Sequence, residues 1–157
     1  MKHILLKPFI AIMVAGLAMV TIASAHSETT GNEAADHRIA EMKKMGANLG
    51  AIAKVVKGEA EYSDELNKNA QTVAAIAADL PKLFPEGSGV EASRSKPEIW
   101  EEKYKADFQK DIEDLQAASN QLVAAVQSGD KAEIGAALKM TGGACGGCHK
   151  QFRKPKE

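Results

Sequence analysis

The sequence Cys145-Gly146-Gly147-Cys148-His149 lies near the C-terminus, and the rest of the chain can be interpreted around it. Two cysteines separated by two residues and followed directly by a histidine are typical of a covalent attachment site for c-type haem. The two thiols add to the two vinyl groups of the porphyrin, and the adjacent imidazole reaches the iron as its proximal ligand. The motif therefore predicts that Cys145, Cys148 and His149 bind a haem and that His149 is an iron ligand.

Cysteine pairs at this spacing also occur in zinc sites and in thiol–disulfide oxidoreductases. A structural zinc ion takes about four ligands, but the chain has no second cysteine pair and its other histidines are distant in sequence. A redox-active dithiol is expected between a strand and a helix, whereas this pair lies within a helical pattern. A structural disulfide would leave His149 without a role, so haem attachment is the favoured interpretation.

Residues 1–25 have the pattern of a secretory signal peptide. Basic residues precede an apolar run at 9–20, and Ala23-Ser24-Ala25 supplies small residues at the spacing of a cleavage site. The apolar run is short for a membrane span, and an uncleaved anchor is the alternative. We expect cleavage after Ala25, one mature domain at 26–157 without a membrane segment, and a periplasmic location, because haem is attached to c-type cytochromes outside the cytoplasmic membrane.

The charge and composition of the mature chain exclude some classes of function. Removing Lys2 and Lys7 from the 20 basic residues leaves 18 against 21 acidic residues, a net charge of −3. This mild charge gives no indication of nucleic-acid binding. Aromatic residues make up only 4% of the chain, which is little for a core of this size. A buried haem would compensate with its own apolar surface.

Four segments carry apolar residues at helical spacing. The first runs from about Glu33 to Val56, and Gly58 follows as a C-cap. The second begins after Ser63 and stops at Pro81. The third is predicted to start at the capping box Ser95-Lys96-Pro97-Glu98 and to end at Gly129, and the fourth is capped by Asp130.

The fourth segment places the haem motif on a buried face. Its seam residues are separated by gaps of four and three, and they are Ile134, Leu138, Thr141, Cys145, Cys148 and Phe152. No strand pattern occurs elsewhere. Four helices with mostly short connections predict an all-α fold, an antiparallel up-down-up-down four-helix bundle with covalently bound haem. The long irregular connection at 81–95 is either a plug over the end of the bundle or a flap beside the haem.

The same topology indicates where a second axial ligand would come from. The fourth helix runs antiparallel to the first, so its C-terminal part faces the stretch from His37 to Met45. Met42 and Met45 both lie on the seam there, and a thioether is a common sixth ligand of haem iron. Methionine on a helix seam is more often core packing, so the geometry leaves ligation open. His37 is off the seam and is expected to be solvated.

Several motifs then resemble the class II c-type cytochromes, the cytochrome c prime family and its low-spin, six-coordinate relatives. The resemblance covers essentially the whole mature chain, and its most informative feature is the position of the haem motif at the end of the fourth helix. The other matching stretches are Arg38-Ile-Ala-Glu-Met42, Lys57-Gly58-Glu59 with Tyr62, Leu80-Pro81-Lys82-Leu83-Phe84-Pro85, Pro97-Glu98-Ile99-Trp100 and Phe152-Arg153.

The resemblance implies roles for individual residues. Arg38 matches an arginine near a haem propionate, Arg153 matches a basic residue on the proximal side, and Met42 matches the distal position. In cytochrome c prime proper the distal residue only shields a five-coordinate iron that binds nitric oxide or carbon monoxide. In the low-spin relatives a methionine ligates the iron, and the stretches at 49–52 and 80–85 look more like that group.

These observations lead to two expected functions and one weaker alternative. The first is electron transfer with periplasmic redox partner proteins, by a protein that is not an enzyme. The second is the binding or scavenging of diatomic gases at an open sixth position. A haem peroxidase is the weakest, because no distal histidine–arginine pair lies on the seam. Family members often pair through their first two helices, which leaves a homodimer open.

Overall fold

The computed structural model describes residues 29–155, and these form a bundle of four α-helices. The predicted signal peptide and its cleavage site lie outside the described residues. The helices are α1 (Glu33–Lys57), α2 (Asp64–Asp79), α3 (Lys105–Ser128) and α4 (Lys131–Phe152), and four short 3-10 turns lie between α2 and α3. Residues 29–155 contain no strand, only the isolated antiparallel bridge between Ser95 and Arg153. The predicted all-α four-helix bundle is confirmed.

No helix within 29–155 combines the length and the apolar character that crossing a membrane requires.

The helix ends follow from local sequence. Asn32 caps α1 by accepting a hydrogen bond from the Ala35 N–H, and Asp130 caps α4 by accepting from the N–H groups of Ala132 and Glu133. Helix α1 ends at Lys57, and its C-cap Gly58 adopts the left-handed conformation with φ +78°. The connection from α3 to α4 is short, and Asp130 caps α4 directly after it. Helix α4 therefore begins at Lys131, and the haem motif lies in its last turns.

Helix α3 begins later than the capping box predicted. The α-helix starts at Lys105, and residues 97–104 form two 3-10 turns instead. The physical reason is that the preceding backbone is held by the C-terminal end of α4: the Lys96 N–H donates to the Phe152 carbonyl at 3.0 Å. Ser95 is therefore fixed in a bridge rather than free to cap a helix. Pro81 ends the second helix as expected: α2 stops at Asp79, and Pro81 lies in the 3-10 turn Leu80–Leu83 that follows.

The core is packed tightly at one end of the bundle and is open at the other. Ile52, Leu122 and Ile134 are fully buried at the closed end. Nearer the haem motif, Met45 and Ile112 belong to a second cluster, which is lined on one side by half-buried apolar side chains. The bundle therefore leaves space next to the last turns of α4 that its own side chains do not fill.

Residues 84–96, which we call the covering loop, fold over this open end. The Trp100 indole N–H donates to the carbonyl oxygens of Phe84 at 3.1 Å and Pro85 at 3.0 Å. The Ser88 hydroxyl donates to the Pro85 carbonyl at 2.7 Å. The loop thus closes the end of the bundle, as a plug would, and it also lines the space beside the haem motif with Ala92 to Ser95.

Candidate functional site

The open end of the bundle contains a cavity of about 430 Å³ between α1, α3, the end of α4 and the covering loop, which we call the larger cavity. A smaller cavity of about 170 Å³ lies beside it. Five residues line both, namely Met42, Phe84, Phe108, Cys148 and His149. The volume of the larger cavity falls within the range of about 300–1,000 Å³ typical of sites for small molecules and cofactors.

Both cysteines of the motif face this space from one side of α4. Cys145 and Cys148 are half-buried free thiols, three residues apart and therefore on one helix face. Burial raises the pKa of the Cys145 thiol. Burial, with smaller contributions from Asp111 and Cys145, raises the pKa of Cys148 to about 12. Both thiols are therefore protonated at neutral pH, which disfavours a reactive redox dithiol because thiolate is the nucleophile in that chemistry.

His149 lines both cavities next to the second cysteine. The side chain is half-buried, and burial lowers its pKa, with further lowering by the charges of Arg153 and Arg94. The imidazole is therefore neutral at pH 7, which is the form that ligates a metal ion. Within residues 29–155 no group of three or more His, Cys, Asp or Glu side chains could hold a bare metal ion.

The two methionines of the α1 seam lie in different surroundings. Met42 is half-buried and lines both cavities together with His149. Met45 is 3% exposed, belongs to the packed core and lines only the smaller cavity. His37 is exposed and lines neither cavity. Of the three candidates for a second axial ligand, Met42 is the one that shares both cavities with His149.

Arg38 is a buried cation on the α1 side of the larger cavity. Its guanidinium donates to the Leu83 carbonyl at 2.9 Å, to the Ser88 hydroxyl at 2.8 Å and to the Ser88 carbonyl at 2.8 Å. Its charged carbon also lies 4.8 Å from the centre of the Phe84 ring. Burial lowers its pKa, because all three of these oxygens are neutral. Arg153, by contrast, is exposed at the end of α4 although it still lines the cavity.

Sequence patterns placed Phe152 on the seam of the fourth helix, but they did not indicate the aromatic stacking, the acid and the additional arginine of the site. Phe84, Phe108 and Phe152 stack edge to face, with ring centres 4.9 and 5.1 Å apart. Asp111 lines the smaller cavity, and one of its carboxylate oxygens is buried without a hydrogen-bond partner among the described residues. Arg94 lines the larger cavity from the covering loop. The one sequence signal for Asp111 is that this acid directly precedes Ile112, an apolar residue of the buried helix face.

The residues present fit a haem. The two thiols and the imidazole supply the groups for covalent attachment and one axial bond, and the stacked phenylalanines supply an apolar wall for a flat macrocycle. Haem carries two carboxylates, and four cationic side chains line the larger cavity. These cationic residues are Arg38, Lys43, Arg94 and Arg153. Apolar surface, attachment groups and positive charge thus occur together in one space.

Comparison with known proteins agrees with this chemistry. A family model described as Cytochrome C' matches residues 33–153. A cytochrome c' of Pararhodospirillum photometricum is 35% identical over 122 residues, covering 76% of this chain and 94% of the relative. A cytochrome c-556 of Agrobacterium tumefaciens (strain apple 185) is 37% identical over 125 residues, covering 78% of this chain and 95% of the relative.

Solved structures agree as well. A nitric oxide complex of a mutant cytochrome c prime from Alcaligenes xylosoxidans has a TM-score of 0.71 and 28% identity, covering 78% of this chain and 94% of that one. Cytochrome c' from Thermochromatium tepidum has a TM-score of 0.69 and 32% identity, with 78% and 95% covered. The fold and site define a c-type cytochrome built on a four-helix bundle. The chain belongs to the cytochrome c' family, whose members bind one covalent haem c.

Proposed function

We propose that this chain is a periplasmic electron carrier with one haem, exported by a signal peptide that is cleaved after Ala25. Cys145 and Cys148 hold the haem through thioether bonds, His149 is the proximal iron ligand and Met42 is the distal ligand. When bound, the haem supplies one-electron exchange between ferric and ferrous iron. The protein is not an enzyme in this proposal, and its partners are other redox proteins of the periplasm.

The proposal of electron transfer rests on one observation. Met42 on α1 and His149 on α4 line the same two cavities. Side chains held by two packed helices of one bundle keep their positions, so the site changes little between oxidation states. The stacked phenylalanines give the same space an apolar wall. Arg38 and Arg153 add positive charge near the carboxylates and the proximal side, the roles that the family resemblance implies for them.

A second function is supported by the structural relatives. Cytochrome c prime from Alcaligenes xylosoxidans has been solved as a nitric oxide complex and, as another variant, with carbon monoxide bound. If Met42 shields the distal side without forming a bond, this chain would bind such gases at the sixth position. The half-buried state of Met42 allows either arrangement.

The visible spectrum of the reduced holoprotein, recorded with and without carbon monoxide, decides between the two. Electron transfer with Met42 as ligand predicts low-spin bands that carbon monoxide leaves unchanged. Gas binding predicts a high-spin spectrum that shifts when the gas is added. A low-spin spectrum that persists in Met42→Ala would contradict both assignments and would point to Met45 or His37 as the ligand.

A further inference from the structure

The larger cavity has a one-sided charge that the proposed roles of Arg38 and Arg153 do not fully explain. Its lining includes four cationic side chains and no aspartate or glutamate, in a chain that has 20 basic and 21 acidic residues in total. Cations gathered around a low-dielectric space attract anions strongly. The cavity therefore suits a ligand that carries carboxylates, and some of its four cations would contact them.

Among the four cations, Arg94 is the one with a buried donor that has no hydrogen-bond partner among the described residues. Its NH2 group donates to the Lys154 carbonyl at 2.8 Å, but its Nε is buried without a partner among the described residues. A buried donor without an acceptor destabilises a protein, and more so when it is charged. The nearest acid along the loop, Glu91, pairs with Lys154 at 3.3 Å.

The backbone at this position is held in an uncommon conformation. Arg94 is the one non-glycine residue within 29–155 with a positive φ, +58°. Hydrogen bonds on either side of it keep it there: the Lys154 N–H donates to the Arg94 carbonyl at 2.8 Å, and the Lys96 N–H donates to the Phe152 carbonyl at 3.0 Å. Strained residues of this kind persist where the surroundings over-determine them, and they cluster at ligand clamps.

This backbone pairing also brings Arg94 close to a second arginine. The charge of Arg94 lowers the pKa of Arg153, in addition to the effect of burial. The two guanidinium groups repel each other beside the cavity, and no carboxylate among the lining residues compensates their charge. An anion between them or in front of them would do so. A guanidinium binds a carboxylate through two parallel N–H bonds, and Nε is one of the donors used.

We propose that Arg94 binds a carboxylate inside the larger cavity and that this carboxylate is a propionate of the haem. The proposal rests on the haem attachment proposed above. It gives the unpartnered Nε an acceptor, and it connects the covering loop to the cofactor. A free inorganic anion could satisfy the same donors, and a purely structural role would need no anion at all.

The test compares holoproteins whose covalent haem has first been shown on a denaturing gel stained for haem. The reduction potential is measured as a function of pH, because a propionate that titrates produces a step in this curve. The other charged or titratable groups facing the space are Arg38 and Lys43 from α1 and His149 and Arg153 from α4, while Asp111 from α3 faces the adjoining cavity. These stay unchanged, so a shifted step reports the altered residue.

Arg94→Gln is expected to move the step to higher pH by about one unit or more, because an adjacent cation holds a carboxyl pKa down by that amount. Lys96→Gln is the matched control. Its Nζ joins the same two segments by donating to the Gln151 carbonyl at 2.7 Å, yet it lines neither cavity. The control is expected to leave the step in place. An Arg94→Gln curve that coincides with the wild type, or a control that shifts equally, would overturn the proposal.

Two further arms complete the test. If Arg94→Gln yields too little holoprotein, Arg94→Lys keeps the charge without the second donor and must shift the step in the same direction by less; no shift overturns the assignment. Inorganic phosphate is titrated into wild type and variant. If phosphate changes the reduction potential of the wild type in a saturable way and leaves that of the variant unchanged, Arg94 binds a free anion instead of a propionate. Because the haem is present throughout, none of these results depends on whether iron has five or six ligands.

Discussion

Gly89→Ala tests whether the covering loop is held in place by a close approach that only glycine allows. A Cβ atom at this position would lie 2.5 Å from Trp100 Cζ3, 2.9 Å from Cη2 and 3.1 Å from Cε3. Carbon atoms prefer separations of about 3.5–4.0 Å, so the indole ring and the loop backbone would have to move apart by roughly 1 Å, the difference between those two distances.

The indole ring has little freedom to move away. Its N–H is bonded to the carbonyl oxygens of Phe84 and Pro85, and the charged carbon of Arg38 lies 6.0 Å from its centre. Overpacking at a well-packed position costs about 1–3 kcal/mol. We expect Gly89→Ala to lower the free energy of unfolding by an amount in this range and to loosen the loop next to Ser88, which accepts two of the Arg38 hydrogen bonds.

Chemical denaturation of the holoprotein measures the loss of stability, and hydrogen exchange of residues 84–96 measures the loosening. Gly142→Ala is the matched control: it lies in α4, and its Cβ would meet nothing within 4 Å. Alanine within a helix is favoured over glycine by about 0.5–1 kcal/mol, so the control is expected to be neutral or stabilising. A Gly89→Ala protein as stable as the wild type, with unchanged exchange, would refute the packing argument.

The remaining predictions concern the site itself. Replacing both cysteines, Cys145 and Cys148, with alanine should abolish covalent haem on a denaturing gel stained for haem, and haem that persists would contradict the attachment assignment. Met42→Ala should convert a low-spin protein to high-spin, confer carbon monoxide binding and lower the reduction potential, because thioether ligation favours ferrous iron; visible spectra and potentiometry check this. The apoprotein should lack cooperative melting by circular dichroism, because the cavity walls lose the contacts that the haem supplies; native-like melting would count against it. Asp111→Asn should stabilise the holoprotein at pH 7. Burial raises the pKa of this carboxyl above 3.8, so its ionisation disfavours the folded state once the pH exceeds the folded pKa. The gain, below about 1 kcal/mol after solvent screening, should vanish at pH 3 in denaturation experiments, and an equal gain at both pH values would refute it.

Some features of the site follow from local sequence alone. The four seams, the glycine and aspartate caps and the position of Cys145 and Cys148 on α4 depend on residues a few positions apart, so periodicity and capping chemistry were enough to predict them. The antiparallel topology follows from the short connections, and it correctly placed Met42 on the same cavities as His149. Ligation by Met42 stays a prediction.

Other features depend on contacts between distant segments, which local patterns do not contain. Arg38 is bonded to Ser88, 50 residues away, and the covering loop is held by the chain after α4, which is why α3 starts at Lys105 and not at the predicted capping box. The buried oxygen of Asp111 and the buried Nε of Arg94 arise in the same way. Local sequence determines that four helices form and which face carries the haem motif. Tertiary packing decides where α3 begins and which polar groups lose water around the motif, because burial depends on every segment that packs there.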